Sequence, residues 1–326
     1  MNGDSGHLGD AVPARDGVSD ADADTHADAD THADAGADRG AGSAVLLVVR
    51  AGYGATVQDL GRPGLAALGV GRSGAADRGA LRLANRLVGN PEGAAGIEMP
   101  LGGVELEFGR AATCALAGAD CPAWVDGRPV GPRTPLAVPA GARLRIGTPD
   151  RGLRAYLAVR GGLDVPAVLG SRATDTLAGL GPQRLTAGQL LPVGTAATGW
   201  PAAEHAPRRD RPGPVVLHVV PGPRDDWFTP AALRTLCGEP YTVTADSDRV
   251  GMRLDGPVLE RARGGELPSE GMVGGALQVP PSGRPILFLA DHPVTGGYPV
   301  IAVVRRTDLD AAAQARPGDV LRFRLG

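Results

Sequence analysis

Three polar clusters interrupt a sequence otherwise made of short apolar runs and glycine turns, and each could carry a different chemistry. The first is TVQDLGRPG, Thr56 to Gly64, where Gln58, Asp59 and Arg62 share a turn that leads into GVGRSGAAD with Gly69, Gly71 and Gly74. A glycine-rich loop that runs into a helix at Asp77 could offer backbone N–H groups to an anion, or it could be a structural turn. The second, TADSDRVGMRLDG, packs Asp246, Ser247, Asp248, Arg249, Arg253 and Asp255 around one glycine. Its arginines could clamp a carboxylate or phosphate through paired N–H donors, or the alternation could be a salt-bridged hairpin. The third runs from Glu266 to Pro299, ELPSEGMVGGALQVPPSGRPILFLADHPVTGGYP. It sets Ser269, Glu270, Gln278, Asp291, His292 and Thr295 between strand-like segments, where they could supply acid/base and orienting groups. The Gly296-Gly297 pair suits a close approach of backbone to backbone or ligand.

Several chemistries are excluded by what the chain lacks. All 33 basic residues are Arg, and without Lys there is no Walker A lysine, no Schiff base and no point of attachment for biotin. No GxSxG elbow occurs, so a Ser-His-Asp hydrolase is disfavoured. Asp291 and His292 are adjacent and, on a strand, would point to opposite faces, which makes them a poor metal pair; no metal site is expected. Cys114, Cys121 and Cys237 form no closely spaced framework and read as reduced thiols. The N-terminus has no basic, then apolar, export signal, and runs such as AVLLVV at 44–49 are too short to span a bilayer. A cytoplasmic protein is expected, with neither membrane nor nucleic acid as partner.

The elements that must position these clusters follow from composition. Of the 326 residues, 50 are Gly and 29 Pro, while aromatics make up 3%, so an interior of Val, Leu and Ala with many tight turns is expected. Short β-type segments recur throughout, among them AVLLVVR, GVELEFG, RAYLAVRGGL, PVVLHVVPGP, YPVIAVVRR and VLRFRLG. Two helices are predicted. One runs from Asp77 to Val88 with Leu81, Ala84, Leu87 and Val88 on one face; the other opens with Thr229 as N-cap and Pro230 at its first position, buries Leu233 and Leu236, and stops at Gly238. A Gly-x-x-Leu-x-apolar unit appears at Gly141 to Ile146, Gly188 to Val193 and Gly318 to Phe323, as a duplicated barrel or plain hairpin grammar would give.

Residues 1–43 hold the duplication ADADTH-ADADTH and carry 10 Asp against 2 Arg, leaving 26 acids and 31 Arg in the rest. A stretch so acidic and so poor in branched apolar residues is expected to be a disordered tail. The expected domains are 44–205 and 214–326, joined by a linker at 206–213.

Taken in order, TVQDLGRPGLAALGVGRSGAADRGALRLANRLVGNPEGAAGIE (56–98), AYLAVRGGLDVPAVLGSRATDT (155–176), VVPGPRDDWF (219–228), ADSDRVGMRLDG (245–256) and LPSEGMVGGALQVPPSGRPILFLADHPVTGGYP (267–299) resemble the KipA family. The family is also called allophanate hydrolase subunit 2 or the biotin-dependent carboxyltransferase family, and its bacterial members include the 5-oxoprolinase component PxpC. The resemblance covers nearly everything from Val45 to Gly326. It implies a mainly β fold of two tandem cyclophilin-like β-barrel domains with a few short helices. It also implies partners, a KipI-like subunit (PxpB) and a LamB/YcsF-like subunit (PxpA), in a complex that opens the lactam 5-oxoproline to L-glutamate with hydrolysis of ATP. ATP would be shared with the complex, no covalent biotin would sit on this chain, and the chain alone would be inactive. The alternatives within the family are a biotin-dependent carboxyltransferase component of the urea carboxylase kind and a non-enzymatic regulator that binds a KipI-like kinase inhibitor.

Under the resemblance, Asp248, Glu270 and Asp291 are the candidates for acid/base or orienting work. Arg249 and Arg253 would bind carboxylate or phosphate, Gln278 and Thr295 would donate to the ring amide, and Gly296 and Gly297 would line the substrate. Gln58, Asp59, Arg62, Asp77 and Arg172 are secondary candidates. The sequence departs from the family at His292-Pro293-Val294, where members commonly read QTTGGYP, and at Gly74-Ala75-Ala76-Asp77 in place of GPMD.

Overall fold

Glycine spacing sets the cadence of the fold. In the computed structural model, which describes residues 45–201, 205–207, 213–265 and 267–326, the three Gly-x-x-Leu units become one repeated device. Gly141, Gly188 and Gly318 take φ of 74°, 85° and 90°, a region that side chains resist, and each turns the chain into a strand: Arg143–Ile146, Leu190–Pro192 and Val320–Leu325. The acidic duplication and residues 208–212 of the expected linker lie outside the described residues.

The first half is built from two antiparallel sheets. One runs, in spatial order, Leu190–Pro192, Val45–Ala51, Val104–Phe108, Arg143–Ile146, Ala123–Val125 and Arg128–Val130; the other Thr56–Gln58, Gly96–Pro100, Arg154–Val159, Ala112–Gly118 and Leu136–Val138. Alternate residues of the two meet in one core that includes Val48, Leu106, Leu144, Ile97, Met99 and Leu157. Strand Arg154–Val159 is buried on both faces: Ala155, Leu157 and Val159 enter that core, while Tyr156 and Ala158 face a helix, α1 (Arg78–Leu87). Ala115, Ala117 and Ala158 on the sheet let α1 lie close, with Leu81, Ala84, Leu87 and Val88 against them as the 3.6-residue pattern requires.

The second half is a closed barrel. Its order is Val215–Pro221, Val300–Val304, Ala276–Gln278, Ile286–Phe288, Gly251–Asp255, Pro240–Val243 and Val320–Leu325, and parallel pairing of Val215–Val219 with Leu321–Leu325 closes it. Closure leaves the barrel without a free edge. Its core contains Leu217, Leu254, Leu277, Leu287, Ile301 and Phe323. The chain is therefore mainly β, with few short helices.

Both predicted helices form. Asp77 caps α1 by accepting from the Ala80 amide at 2.8 Å. The second, α2 (Pro230–Gly238), has Thr229 at its N-cap, but the Thr229 hydroxyl is buried with no hydrogen-bond partner, and Leu233 is only partly buried beside Leu236. A third, α3 (Leu309–Ala312), was not expected; four residues are too few to show a helical period. Two local expectations are corrected. Gln58 ends a strand instead of lying in a turn, because its side chain packs inward against Thr56 and Thr174. Asp291 and His292 occupy a turn after Ile286–Phe288, so the alternation of a strand does not govern where they point. No helix among the described residues is long and apolar enough to cross a membrane.

Candidate functional site

The two halves meet over a row of polar residues on the α1-facing side of the first half. Thr56, Glu98 and Tyr156 are register partners on three neighbouring strands. Glu98 is fully buried, and it accepts from the Tyr156 hydroxyl at 2.7 Å and the Ala76 amide at 3.0 Å. Tyr156 in turn accepts from the Asp77 amide at 2.8 Å. From the second half, Arg249 enters this row. Its Nη1 pairs with Glu98, its Nε and Nη2 each donate to Asp291 at 2.9 Å, and Nη2 also donates to the Gly74 carbonyl at 2.6 Å. Asp291 further accepts from the Ser73 hydroxyl at 2.7 Å and from the hydroxyl and amide of Thr176 at 2.7 and 3.0 Å. Ser73 reaches that position with φ of 51°, which few non-glycine residues adopt.

Charge balance explains how so many ionisable groups remain buried. Burial pushes the Glu98 carboxyl up, but the Arg249 and Arg154 guanidiniums outweigh it and hold Glu98 below the usual range. Asp291 follows the same logic, with Arg249 overcoming burial. Asp77 has no such cation. Burial, reinforced by the nearby Asp310, raises it to about 6, while a 2.7 Å bond from Gln314 holds it in place. Burial and the neighbouring carboxylates raise Tyr156 well above 10, so it serves as a neutral donor. The amides that the glycine-rich loop presents are met by these internal carboxylates: Ala76 by Glu98, Arg78 and Gly79 by Asp310, and Ala80 by Asp77. Of the two readings of this loop, the structural turn is the one these contacts describe.

This arrangement reassigns several candidates. Arg249 and Asp291 come together as expected, yet four of the five guanidinium N–H groups are already taken, so Arg249 joins the halves instead of clamping a substrate. Asp248 is exposed and shapes the turn that sends Arg249 inward, accepting from the Val250 and Gly251 amides at 2.8 and 3.1 Å. Arg253 points elsewhere, into an open groove of about 290 Å³ that Asp246, Thr244 and Arg284 also line. Asp59 accepts from the Gly61 amide, the Ser171 hydroxyl and the Arg172 amide, each at 2.7 Å. Arg62 is buried against the Ala173 carbonyl, and Arg172 pairs with Asp164 at 2.6 Å. Gln58, Asp59, Arg62 and Arg172 therefore fold the 164–176 segment onto the first half, which in turn brings Thr176 to Asp291.

The remaining candidates gather beside the network, Thr295 to Gly297 on the segment that leaves Asp291 and Glu270 and Gln278 on strands that precede it. Glu270–Gly271 and Thr295–Gly296 form a two-residue ribbon in which Glu270 faces Gly296 and Gly271 faces Thr295. Gln278 lies beneath it, donating to the Tyr298 carbonyl at 3.1 Å. A Cβ on Gly296 would come within 2.7 Å of the Gln278 amide nitrogen, so any larger residue there would have to displace the Gln278 side chain. Arg224 grips Glu270 through paired bonds, its Nε at 2.8 and 3.0 Å from the two carboxylate oxygens, and holds Glu270 below the usual carboxylate range. Thr295 is exposed, and His292, half-buried, sets its carbonyl against Gly71. The result is a short ribbon that exposes Thr295, with the Gln278 amide buried beneath it and donating to the Tyr298 carbonyl.

A family model described as the carboxyltransferase domain, subdomain A and B, matches residues 68–325. The chain belongs to that carboxyltransferase-domain family. This carboxyltransferase-domain protein is 38% identical to the C subunit of 5-oxoprolinase from Escherichia coli (strain K12), over 86% of its own length and 90% of the relative. It is 32% identical to urea amidolyase of Lachancea kluyveri over 85% of its length, but spans only 16% of that larger protein. Among solved structures, that of TTHA0988 superposes with a TM-score of 0.79 at 39% identity, covering 86% of this chain and 56% of the other. The carboxyltransferase-domain fold thus recurs both as a subunit and as a part of longer chains.

Several residues of the site escape a reading by clusters. Ser73, Glu98, Arg154, Tyr156, Thr176, Asp310 and Gln314 are spread over more than 240 residues of sequence. One signal was present: Glu98 in GIEMP and the Arg and Tyr of RAYLAV are polar residues inside strands buried on both faces, and a charge so placed must be paired.

Proposed function

We propose that this chain is the PxpC-type component of an ATP-dependent 5-oxoprolinase, in which it acts with a KipI-like subunit (PxpB) and a LamB/YcsF-like subunit (PxpA) to open 5-oxo-L-proline to L-glutamate as ATP becomes ADP and phosphate. The observation that carries this reading is the 38% identity to a protein named as the C subunit of 5-oxoprolinase, reaching across 90% of that relative. The lactam amide is resonance-stabilised, so its carbonyl must be activated before water attacks, and the developing oxyanion must be stabilised. Thr295, Gln278 and the Gly296-Gly297 backbone are the donors this chain offers to the ring amide.

The geometry also limits the chain's share of the chemistry. Asp291 is locked by Arg249, Glu270 by Arg224, and Asp248 by its own turn. All three carboxylates proposed for acid/base work are thus committed, so this chain binds and orients the lactam while a partner subunit supplies the base. That division accounts for a subunit that is inactive alone.

A second reading is favoured by the family description and by the urea amidolyase relative: a carboxyltransferase component that moves a carboxyl group from biotin. With no Lys in the chain, the biotin would ride on another polypeptide. Co-expression with the two partner chains, purification, and omission of each subunit in turn separates the readings. ATP-dependent glutamate release that requires all three chains supports the first, whereas avidin-sensitive carboxylation without glutamate release supports the second.

A further inference from the structure

Four arginines gather where α1 begins, and the two carboxylates beside them are shared, Asp310 with the first amides of α1 and Glu92 with Arg86. Arg78 and Arg82 are one helical turn apart on α1, a spacing at which like charges repel. The Arg78 guanidinium reaches back to the Ser73 carbonyl at 3.3 Å, which brings it beside Arg72. Arg306 belongs to the short 3-10 turn Arg306–Asp308, within four residues of Asp310, whose carboxylate contacts the Arg78 and Gly79 amides at 3.0 and 3.1 Å. The cluster therefore spans both halves of the molecule.

The available acids are already engaged. Asp310 is occupied by the first amides of α1, and Glu92 lies 2.6 Å from Arg86 but 3.5 Å from Arg82. The Arg72 side chain makes a single long bond, Nε to the Leu60 carbonyl at 3.4 Å, and the exposed Arg306 side chain makes no hydrogen bond or ion pair among the described residues. Burial, then the neighbouring arginines, push Arg78 down to about 10 and lower Arg72 as well. Guanidiniums that repel one another stay together at a cost unless an anion joins them.

We propose that Arg72, Arg78, Arg82 and Arg306 form a binding cluster for a phosphate-bearing anion, with the di- or triphosphate group of a nucleotide or a free polyphosphate as its source. Arginine offers planar, paired donors that suit phosphate oxygens. Arg72, Arg78 and Arg82 are half-buried and only Arg306 is exposed, which favours a small anion that reaches inward over a broad acidic protein surface. The choice of a nucleotide as source rests on the proposed ATP-dependent function; the cluster itself does not.

Isothermal titration calorimetry of the full chain with pyrophosphate, ATP and inorganic phosphate tests the proposal without any turnover of 5-oxoproline, so its failure and that of the ring-opening function are separable. The expected result is that pyrophosphate binds more tightly than inorganic phosphate and that Arg306→Gln weakens it about five- to tenfold. In anion-free buffer the same variant should melt above wild type, because a repelling charge is gone. ATP binding more tightly than pyrophosphate supports the nucleotide as source, and the reverse supports a free polyphosphate. Absence of binding by all three anions, or equal binding by wild type, Arg306→Gln and Arg78→Gln, would overturn the proposal. Capture of polyglutamate with none of the phosphates bound would overturn it too, in favour of an acidic protein surface.

Discussion

Replacing Arg249 with Met should loosen the joint between the two halves more than any change at the surface. The substitution keeps an unbranched stem but removes the cation that pairs with Glu98 and Asp291, both buried, and the donor to the Gly74 carbonyl. Removing one member of a buried ion pair costs about 3–5 kcal/mol, because the partner is left as an uncompensated charge. For a protein of this size that is a fall of about 5–8 °C in Tm. Without Arg249, burial would be opposed only by Arg154 at Glu98 and by hydrogen bonds at both carboxylates, so both would rise and the variant would hold extra protons when folded. Its loss relative to wild type should therefore be larger at pH 8 than at pH 5. Thermal unfolding followed by circular dichroism at both pH values measures this, and adding Glu98→Gln and Asp291→Asn to Arg249→Met should recover part of the loss at pH 8. A Tm within about 2 °C of wild type at pH 8 would refute the reasoning and return Arg249 to the role of a free substrate-binding group.

Three further outcomes are expected. Asp77, raised from 3.8 to about 6, binds its proton more tightly folded than unfolded, so the chain should lose about 3 kcal/mol as the pH climbs from about 4 to 6. Glu98 and Asp291, held low, contribute stability above about pH 4.5 that is lost on further acidification. A Tm maximum at about pH 4.5 follows, and Asp77→Asn, which keeps the cap, should flatten its alkaline side in a pH series of melts. Gly74→Ala should destabilise by more than about 1 kcal/mol in urea unfolding: φ is 91° and the added Cβ would lie 2.6 Å from the Gly61 amide nitrogen, a backbone atom that cannot swing aside. Gln278→Leu should lower ATP-dependent glutamate release by the reconstituted complex at least about tenfold while Tm moves only a few degrees, since one buried neutral hydrogen bond is worth about 1 kcal/mol. Unchanged turnover would remove Gln278 from the substrate face.

The strand grammar was legible because it is local. Gly141, Gly188 and Gly318 announce the strands that follow them, and Asp77 and Pro230 mark the starts of α1 and α2 within a residue. The family resemblance was legible from motifs spread over most of the chain. Which polar residues face each other was not, because the network joins Ser73 to Asp291 across 218 residues, Glu98 to Arg249 across 151 and Thr176 to Asp291 across 115. Clustering along the sequence was a poor guide here. Arg249 and Arg253 are four residues apart, yet one is buried against Glu98 and the other lines an open groove. The turn that Asp248 fixes divides them, and only its geometry tells which arginine turns inward.

The central claim, that this chain works in the ATP-dependent opening of 5-oxoproline, is tested most directly by measuring glutamate and ADP together from the complex assembled with and without it. Equal amounts of glutamate and ADP with the chain present, and no glutamate when it is left out, is the expected result. Glutamate formed at the same rate in its absence would contradict the account.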